Sequence, residues 1–342
     1  MEPILDVRDL HTSFLTSSGE VQAVRGVSFQ VDKGQTLGIV GESGSGKSVT
    51  SLSVLNLLGT TGRVKSGSIR LNGEELTDKS QKAMRRIRGS KVSMIFQDPM
   101  TSLNPLIPVG EQVGEMLWAH DKSLNKQGRE QRVLELFQMV RIPEPHKRLK
   151  AFPHEFSGGM RQRVMIAMAL ACRPELLIAD EPTTALDVSI QDQILKLMRG
   201  LQQEIGMSIM FITHDLGVVA ELCSHVLVMY GGLIMEEAGI YDIFERPRHP
   251  YTMGLMASMP GLHQDKGKRL QPIPGSPPDM IHPPKGCPFA PRCPYTRRIC
   301  REEAPPYVRV SAGHRSMCWL LAPDAPRDDN PFKSAPGEEA AP

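Results

Sequence analysis

One short stretch of the chain has the residue types and spacing needed to hold a chain of phosphates. Gly41-Glu42-Ser43-Gly44-Ser45-Gly46-Lys47-Ser48 fits the pattern G-x-x-x-x-G-K-S/T. The glycines let backbone N–H groups turn inward, Lys47 can reach the β- and γ-phosphates, and the Ser48 hydroxyl can ligate Mg²⁺. We therefore predict a nucleoside triphosphate site formed by Gly41, Glu42, Ser43, Gly44, Ser45, Gly46, Lys47, Ser48 and Val49.

The elements around this loop are those that phosphate binding requires. Residues 36–40 form a short apolar run that predicts a buried strand, and residues 48–58 predict a helix that Gly59 ends. A helix that begins at the loop adds partial positive charge toward the phosphates. A flexible glycine-rich turn is the alternative, and the order of strand, loop and helix argues against it.

Two acidic residues follow a second apolar run. Residues 176–179 predict a strand buried on both faces, so Asp180 and Glu181 emerge at its carboxyl end, where α/β sheets bind ligands. Asp180 is suited to hold Mg²⁺, and Glu181 to orient or deprotonate an attacking water. The alternative is a strand that ends at an acidic loop.

A second glycine-bearing helix start lies at Ser157-Gly158-Gly159. A serine that caps a helix before two glycines leaves N–H groups free for an anion. A capped helix that merely contains small residues would have the same sequence pattern. This segment alone therefore does not distinguish an anion site from an ordinary helix start.

The composition limits the class of protein. The chain has 342 residues and a net charge of +2, which does not indicate a nucleic-acid partner. Its acidic N-terminus lacks a signal-peptide pattern, and it has no uncharged apolar stretch of about 18 residues. We expect a cytosolic protein that could still dock on a membrane protein.

Alternating strands and helices predict an α/β core with a mainly parallel sheet. The strand-rich start predicts an antiparallel β subdomain, and residues 98–173 a helical subdomain. We expect three regions: a nucleotide-binding domain over 1–260, a loop-rich extension over 261–323, and a disordered tail over 324–342.

Taken together, these motifs resemble the nucleotide-binding subunits of ATP-binding cassette (ABC) transporters, which have the P-loop NTPase fold. The resemblance covers about residues 4–260 and implies further roles for Gln97, the residues 184–187 and His214. Gln97 stands in the family's Q-loop and would contact Mg²⁺ and the attacking water, while His214 stands as the switch histidine that reaches the γ-phosphate. Phe14 is the candidate aromatic residue that stacks on adenine. In this family two cassettes meet head to tail, so Ser157, Gly158 and Gly159 would complete a partner's ATP site.

Three further segments resemble the first ATPase of the pair, the "D" type, in oligopeptide and dipeptide importers: residues 97–105, 248–252 and 272–275. This implies a second ABC ATPase as heterodimer partner, two integral membrane permeases, and an extracellular or periplasmic peptide-binding protein. It also implies a peripheral position at the cytoplasmic face of the cell membrane. The signature ends in Met160 where the family has glutamine, and methionine cannot hydrogen-bond as an amide does.

Four cysteines in the extension, Cys287, Cys293, Cys300 and Cys318, have the spacing C-x5-C-x6-C-x17-C. In a short loop-rich segment of a cytosolic protein they favour a metal site over disulfides. The spacing lacks the C-x2-C knuckles usual for zinc, and four thiolates can hold a 4Fe–4S cluster. The resemblance also implies such a cluster, with zinc and unliganded thiols as the alternatives.

Two other functions compete with peptide import. The same kind of subunit could serve another cargo: nickel, glutathione or an antimicrobial peptide. A soluble ABC ATPase that acts on nucleic acid or ribosomes is disfavoured, because the chain has one cassette, no heptad run between its motifs and near-neutral charge.

Overall fold

Two β-sheets and the helices around them make up the molecule, seen in a computed structural model that describes residues 3–97, 102–184, 186–259, 272–325 and 328–332. The strands are β1 Leu5–Thr16, β2 Gly19–Val31, β3 Thr36–Val40, β4 Gly62–Leu71, β5 Glu74–Glu75, β6 Val92–Ile95, β7 Leu176–Asp180, β8 Ser208–Thr213, β9 His225–Tyr230, β10 Leu233–Gly239, β11 Tyr307–Ser311 and β12 His314–Met317. The helices are α1 Lys47–Val54, α2 Gln81–Ile87, α3 Val109–His120, α4 Lys126–Met139, α5 Pro145–Arg148, α6 Gly158–Leu170, α7 Val188–Ile205, α8 Leu216–Leu222, α9 Ile240–Glu245, α10 Pro250–Ala257 and α11 Arg298–Glu302.

The central sheet has the order β11-β12-β10-β9-β3-β8-β7-β6. Strands β9, β3, β8, β7 and β6 are parallel, and β10, β12 and β11 add antiparallel pairs at one edge. Successive side chains of β8 enter different cores: Ile209 and Phe211 pack with the helices, while Met210 and Ile212 pack with the second sheet. Because both faces are covered, these strands are continuously apolar. The predicted α/β core is confirmed.

The second sheet is antiparallel, with the order β2-β1-β4-β5, as predicted. Strand β2 runs without a break through Gly26, which has a φ of 96°, and its register against β1 is irregular. The helix after the phosphate loop is shorter than predicted. It ends at Val54 because Asn56 adopts a left-handed φ of 50°, although the next residues are apolar enough to continue it.

Helices α3 to α6 form the helical segment predicted before β7. Their inward side chains, among them Val113, Phe137 and Val164, are fully buried and join the main core. Part of the predicted entrance to this segment, residues 98–101, lies outside the described residues. In the ranges that are described, no helix is both long and apolar enough to cross a membrane.

The C-terminal extension has more regular structure than predicted. It contributes helix α11 and the hairpin β11–β12, and β12 pairs with β10 at Glu236↔Ser316. Residues 328–332, which the sequence assigned to a disordered tail, make defined contacts: Asn330 is buried and its Nδ2 donates to the carbonyl oxygen of Leu320. The predicted domain boundary at residue 260 lies outside the described residues.

Candidate nucleotide-binding site

The carboxyl ends of four adjacent parallel strands bring the predicted site residues to one edge of the central sheet. The register aligns Val40 of β3 with Thr213 of β8, and Asp180 of β7 with Ile212 of β8. The phosphate loop follows β3, Gln97 follows β6 by two residues, and His214 follows β8 directly. Such an edge is where α/β sheets bind ligands, because side chains emerge there from a core that is otherwise closed.

The phosphate loop is held by close packing of its backbone. Gly41 has a φ of 154°, and a Cβ atom there would lie 2.1 Å from the carbonyl oxygen of Met229, so only glycine fits. The N–H of Gly232 donates to the carbonyl oxygen of Ser45 at 3.1 Å. The Ser45 hydroxyl is buried and has no hydrogen-bond partner within the described ranges, which fits a loop shaped for a polar ligand.

Lys47 lies folded back into the loop. Its Nζ donates to the carbonyl oxygens of Gly41 at 2.6 Å and Glu42 at 3.0 Å, and the residue is 5% exposed. Burial lowers the pKa of Lys47, and the nearby carboxylates of Glu181 and Asp180 oppose that shift. The lysine is therefore a desolvated cation whose hydrogen bonds can be exchanged for those of a phosphate.

Ser48 and Asp180 supply two hard oxygen ligands at the same point. The Ser48 hydroxyl donates to Asp180 Oδ1 at 3.0 Å. Burial raises the pKa of Asp180, the Ser48 hydrogen bond opposes the rise, and the neighbouring Glu181 adds to it. An alcohol and one carboxylate fit Mg²⁺, which keeps most of its coordination for water and phosphate oxygens.

Glu181 is the centre of a hydrogen-bond network. Its Oε2 accepts from Gln97 Nε2 at 3.0 Å and from the Thr184 hydroxyl at 2.9 Å, and its Oε1 lies 3.4 Å from His214 Nδ1. Its backbone is left-handed at φ 47°, an uncommon conformation for a residue with a side chain, and its N–H donates to the Ile212 carbonyl oxygen at 2.8 Å. The structure thus brings the three predicted catalytic residues together around one carboxylate.

The second glycine-bearing helix start, at residues 157–159, differs from the phosphate loop in its exposure and its contacts. Ser157 caps α6 by accepting from the Met160 N–H at 3.4 Å, and Ser157 and Gly158 are exposed. A Cβ at Gly159 would lie 2.6 Å from Ile190 Cγ2, so this glycine allows α6 to pack closely on α7. None of the contacts found in the described residues joins this segment to the phosphate loop.

Phe14 stays a prediction as the adenine-stacking residue. It lies on β1 opposite Val21, where an added Cβ at Gly62 would meet its ring at 2.6 Å. Its packing against Gly62 is compatible with a surface aromatic residue beside α1, and it makes no described contact with the loop itself.

Two residues that brace the phosphate loop were missed by sequence reasoning. The Tyr251 hydroxyl accepts from the Glu42 N–H at 2.9 Å. Arg292 of the extension makes a two-pronged ion pair with the Glu42 carboxylate, at 2.7 Å and 3.1 Å. Arg292 lies 250 positions along the chain from Glu42, and no local pattern could have connected them.

The four extension cysteines line one small cavity together with Phe289. All four are free thiols, and three of them are buried. Burial raises the pKa of Cys293 to about 11 and that of Cys287 and Cys318 to about 12, so these three thiols stay protonated at neutral pH. Across the described residues, no three histidine, cysteine or acidic side chains converge as they would on a single metal ion.

Comparison with known proteins decides what kind of cassette this is. Residues 24–184 match the ABC transporter family, and residues 235–300 match the C-terminal region of oligopeptide/dipeptide transporters. The oligopeptide transport ATP-binding protein OppD of Bacillus subtilis (strain 168) is 55% identical over 329 residues, which are 96% of this chain and 92% of that protein. The chain belongs to the ABC transporter family. It is an ABC ATPase of the oligopeptide/dipeptide branch.

Other ABC relatives agree in sequence and in fold. The dipeptide transport ATP-binding protein DppD of Bacillus subtilis (strain 168) is 53% identical and covers 94% of this chain and 95% of its own length. A solved ATP-binding cassette, dimeric in a post-hydrolysis state with ADP and Pi, superposes with a TM-score of 0.62 at 26% identity, covering 69% of this chain and 98% of that one. CbiO1 from Clostridium perfringens, part of an ABC transporter complex, gives 0.62 at 28% identity, with 72% and 93% covered. The predicted cassette fold is confirmed.

Proposed function

We propose that this ABC ATPase powers the import of oligopeptides or dipeptides through a membrane transporter. The observation that carries the proposal is the second family match, because residues 235–300 resemble a region particular to oligopeptide/dipeptide transporters. The relatives named OppD and DppD cover almost the whole chain, extension included. Nickel, glutathione or an antimicrobial peptide remain alternative cargoes, since the other subunits select what is carried.

The hydrolytic step follows from the side chains at the sheet edge. Lys47 would exchange its bonds to the loop carbonyls for the β- and γ-phosphates of ATP. Ser48 and Asp180, with Gln97 nearby, would hold the Mg²⁺ that neutralises the phosphate charge. Glu181, already fixed by Gln97, would accept a proton from water or orient it toward the γ-phosphate. The rate of hydrolysis would then depend on how these residues position ATP and water and on how they stabilise the phosphate charge.

The site on this chain is one half of a composite site. Ser157 and Gly158 are exposed at the start of α6, and free N–H groups at a helix start suit a phosphate. We propose that they complete the ATP site of a second, different ABC ATPase, and that this partner completes the Gly41–Ser48 site in turn. The cassette dimer with ADP and Pi is a relative in which two such chains meet.

The proposed docking site for a membrane subunit lies beside Gln97. An apolar groove runs between the sheet edge and the helical segment, with Phe96, Met116, Met165 and Met168 in its lining. The Phe96 side chain is 44% exposed although it is large and apolar. Flexible methionine side chains suit a surface that receives a helix from another protein. We propose that one of the two permeases docks here, which places the chain at the cytoplasmic face of the membrane, below an extracellular or periplasmic peptide-binding protein.

Lys47→Ala tests the nucleotide site and the transport role together. The purified variant should bind a fluorescent ATP analogue about 100-fold more weakly than the wild type, because the main phosphate cation is gone. Cells that carry only this variant should lose uptake of a labelled tripeptide, and Lys82→Ala, at an exposed position of helix α2, serves as the control. Normal peptide uptake by the Lys47→Ala cells would refute the transport role.

We also propose that Cys287, Cys293, Cys300 and Cys318 hold a 4Fe–4S cluster. Four soft thiol ligands line one cavity, which fits iron–sulfur chemistry. Zinc requires four ligands that converge on one ion, whereas a 4Fe–4S cluster takes one thiolate at each of its four irons, so its four cysteine sulfurs surround a larger centre. Iron and zinc analysis of protein purified without air, with a visible absorption spectrum, decides between them. A colourless, iron-free protein would refute the cluster.

A further inference from the structure

A buried arginine of the C-terminal extension contacts the phosphate loop directly. Arg292 has a side chain that is 5% exposed and lies next to Cys293 in the sequence. Its Nη1 and Nη2 atoms donate to the two carboxylate oxygens of Glu42 at 2.7 Å and 3.1 Å. Paired bonds of this kind fix the carboxylate in orientation as well as in distance.

The remaining donors of Arg292 are also used. Nη1 donates to the Tyr230 hydroxyl at 3.1 Å, Nη2 to the Ile273 carbonyl oxygen at 3.0 Å, and Nε to the Pro274 carbonyl oxygen at 2.8 Å. All five N–H groups of the guanidinium therefore have an acceptor. A lysine could not reproduce this arrangement, because its ammonium lacks the planar fork.

Glu42 is held at three points as a result. Its carboxylate binds Arg292, its N–H donates to the Tyr251 hydroxyl, and its carbonyl oxygen accepts from Lys47 Nζ at 3.0 Å. The rings of Tyr230, Tyr251 and Phe289 pack behind these contacts, with centroids 4.6 to 5.4 Å apart. The position of the loop backbone is thus tied to the extension.

The ion pair also has an electrostatic role. Glu42 is an acid inside a loop that must accept a highly charged phosphate anion. Without a partner its carboxylate would repel the ligand and would be free to leave its present position. Arg292 neutralises this charge from the side of the loop that faces the extension.

We propose that Arg292 is a positioning residue for the ATP site, supplied by the C-terminal extension and acting through Glu42. The inference rests on the assignment of Gly41–Ser48 to ATP. It makes the extension a working part of the nucleotide site, because the guanidinium sets both the shape and the charge of the loop.

A double-mutant cycle on the full-length chain tests the proposal. Arg292→Gln should raise the Kd for a fluorescent ATP analogue with Mg²⁺ about tenfold, and Arg292→Lys should do so by a similar amount. Adding Glu42→Gln to Arg292→Gln should cause no further loss, because both changes break the same link. In the assembled transporter the KM for ATP should rise while kcat at saturating ATP stays within about twofold.

The matched control is Arg315→Gln, since Arg315 also joins the extension to the cassette, through Glu237, but away from the loop. Its Kd for ATP should equal that of the wild type. Thermal unfolding without nucleotide identifies any variant that has lost its fold. A folded Arg292→Gln or Arg292→Lys chain with wild-type ATP affinity would overturn the proposal, as would additive losses in the cycle. If Lys47→Ala also left ATP binding intact, the site assignment itself would fail.

Discussion

The two glycine-bearing helix starts of this chain have opposite surroundings. The Gly41–Ser48 loop is largely enclosed: Ser45 and Lys47 are buried, and Arg292 holds the loop from the extension, while Ser43 and Gly44 are exposed at its tip. The Ser157–Gly159 segment is open, and its described hydrogen bonds serve only to cap its own helix. The comparison indicates that one start is a nearly finished half-site for this chain's ATP. Under the proposed function, the other is a surface that acts only when a second cassette meets it.

Glu181→Gln should have the largest effect of the changes that separate the two helix starts. It should impair only the Gly41–Ser48 half-site. The amide keeps the size of the side chain but cannot accept a proton, so ATP turnover by the assembled transporter should fall about 100- to 1000-fold. The Kd for ATP should stay within about threefold. Phosphate release is the measurement, and Glu204→Gln, on the exposed face of α7, is the control. Unchanged phosphate release would contradict the role of Glu181.

Gly158→Ala should affect only the open start. An added Cβ there would meet Leu186 at an ordinary 3.7 Å, so the chain should fold, and alanine favours a helix. The methyl group should obstruct the partner's phosphate and lower turnover of the assembled transporter about tenfold, while ATP binding by the isolated chain stays unchanged. Gly200→Ala, in helix α7 with open space around it, is the matched control. Equal turnover of both variants would show that the open start does not touch ATP.

Asp180→Asn should stabilise the nucleotide-free chain slightly at pH 7 and raise its melting temperature. Burial raises the pKa of Asp180, so the fold disfavours the ionised form. The destabilisation is absent below the carboxyl's unfolded pKa and develops as pH rises through its folded pKa. The difference in melting temperature between Asp180→Asn and the wild type should therefore grow with rising pH. Asp32→Asn, at an exposed position, is the matched control. A less stable Asp180→Asn chain would contradict the burial argument.

Met160→Gln gives the smallest expected change. It restores the amide that the ABC signature carries at this position, and the residue follows the open start directly. Turnover of the assembled transporter should rise about twofold, with no change in ATP binding by the isolated chain. Phosphate release compared at saturating ATP measures this. A fall in turnover would mean that the methionine suits its own partner better.

The nucleotide half-site was predictable because its signals are local. The Gly41–Ser48 pattern, the acids after β7 and His214 after β8 are each read from a few neighbouring residues, and parallel strands bring them to one edge. The ion pair between Arg292 and Glu42 was not predictable, because these residues are 250 positions apart and meet only when the extension packs against the phosphate loop. The hairpin β11–β12 was missed for a related reason. Its residues are largely polar, and β12 becomes a strand by pairing with β10.

The same hairpin determines when the edge of the central sheet is closed. Strand β10 pairs with β9 on one side and with β12 on the other. An unpaired edge strand is a template for joining another chain. On the ribosome, roughly 80 residues follow β10 before β12 is made, so at synthesis rates of about 5–20 residues per second the edge stays open for roughly 4–16 s. Strand β12 therefore protects the edge of β10 once it has been made, and a polypeptide cut before β12 should be lost to aggregation rather than to failure of ATP binding.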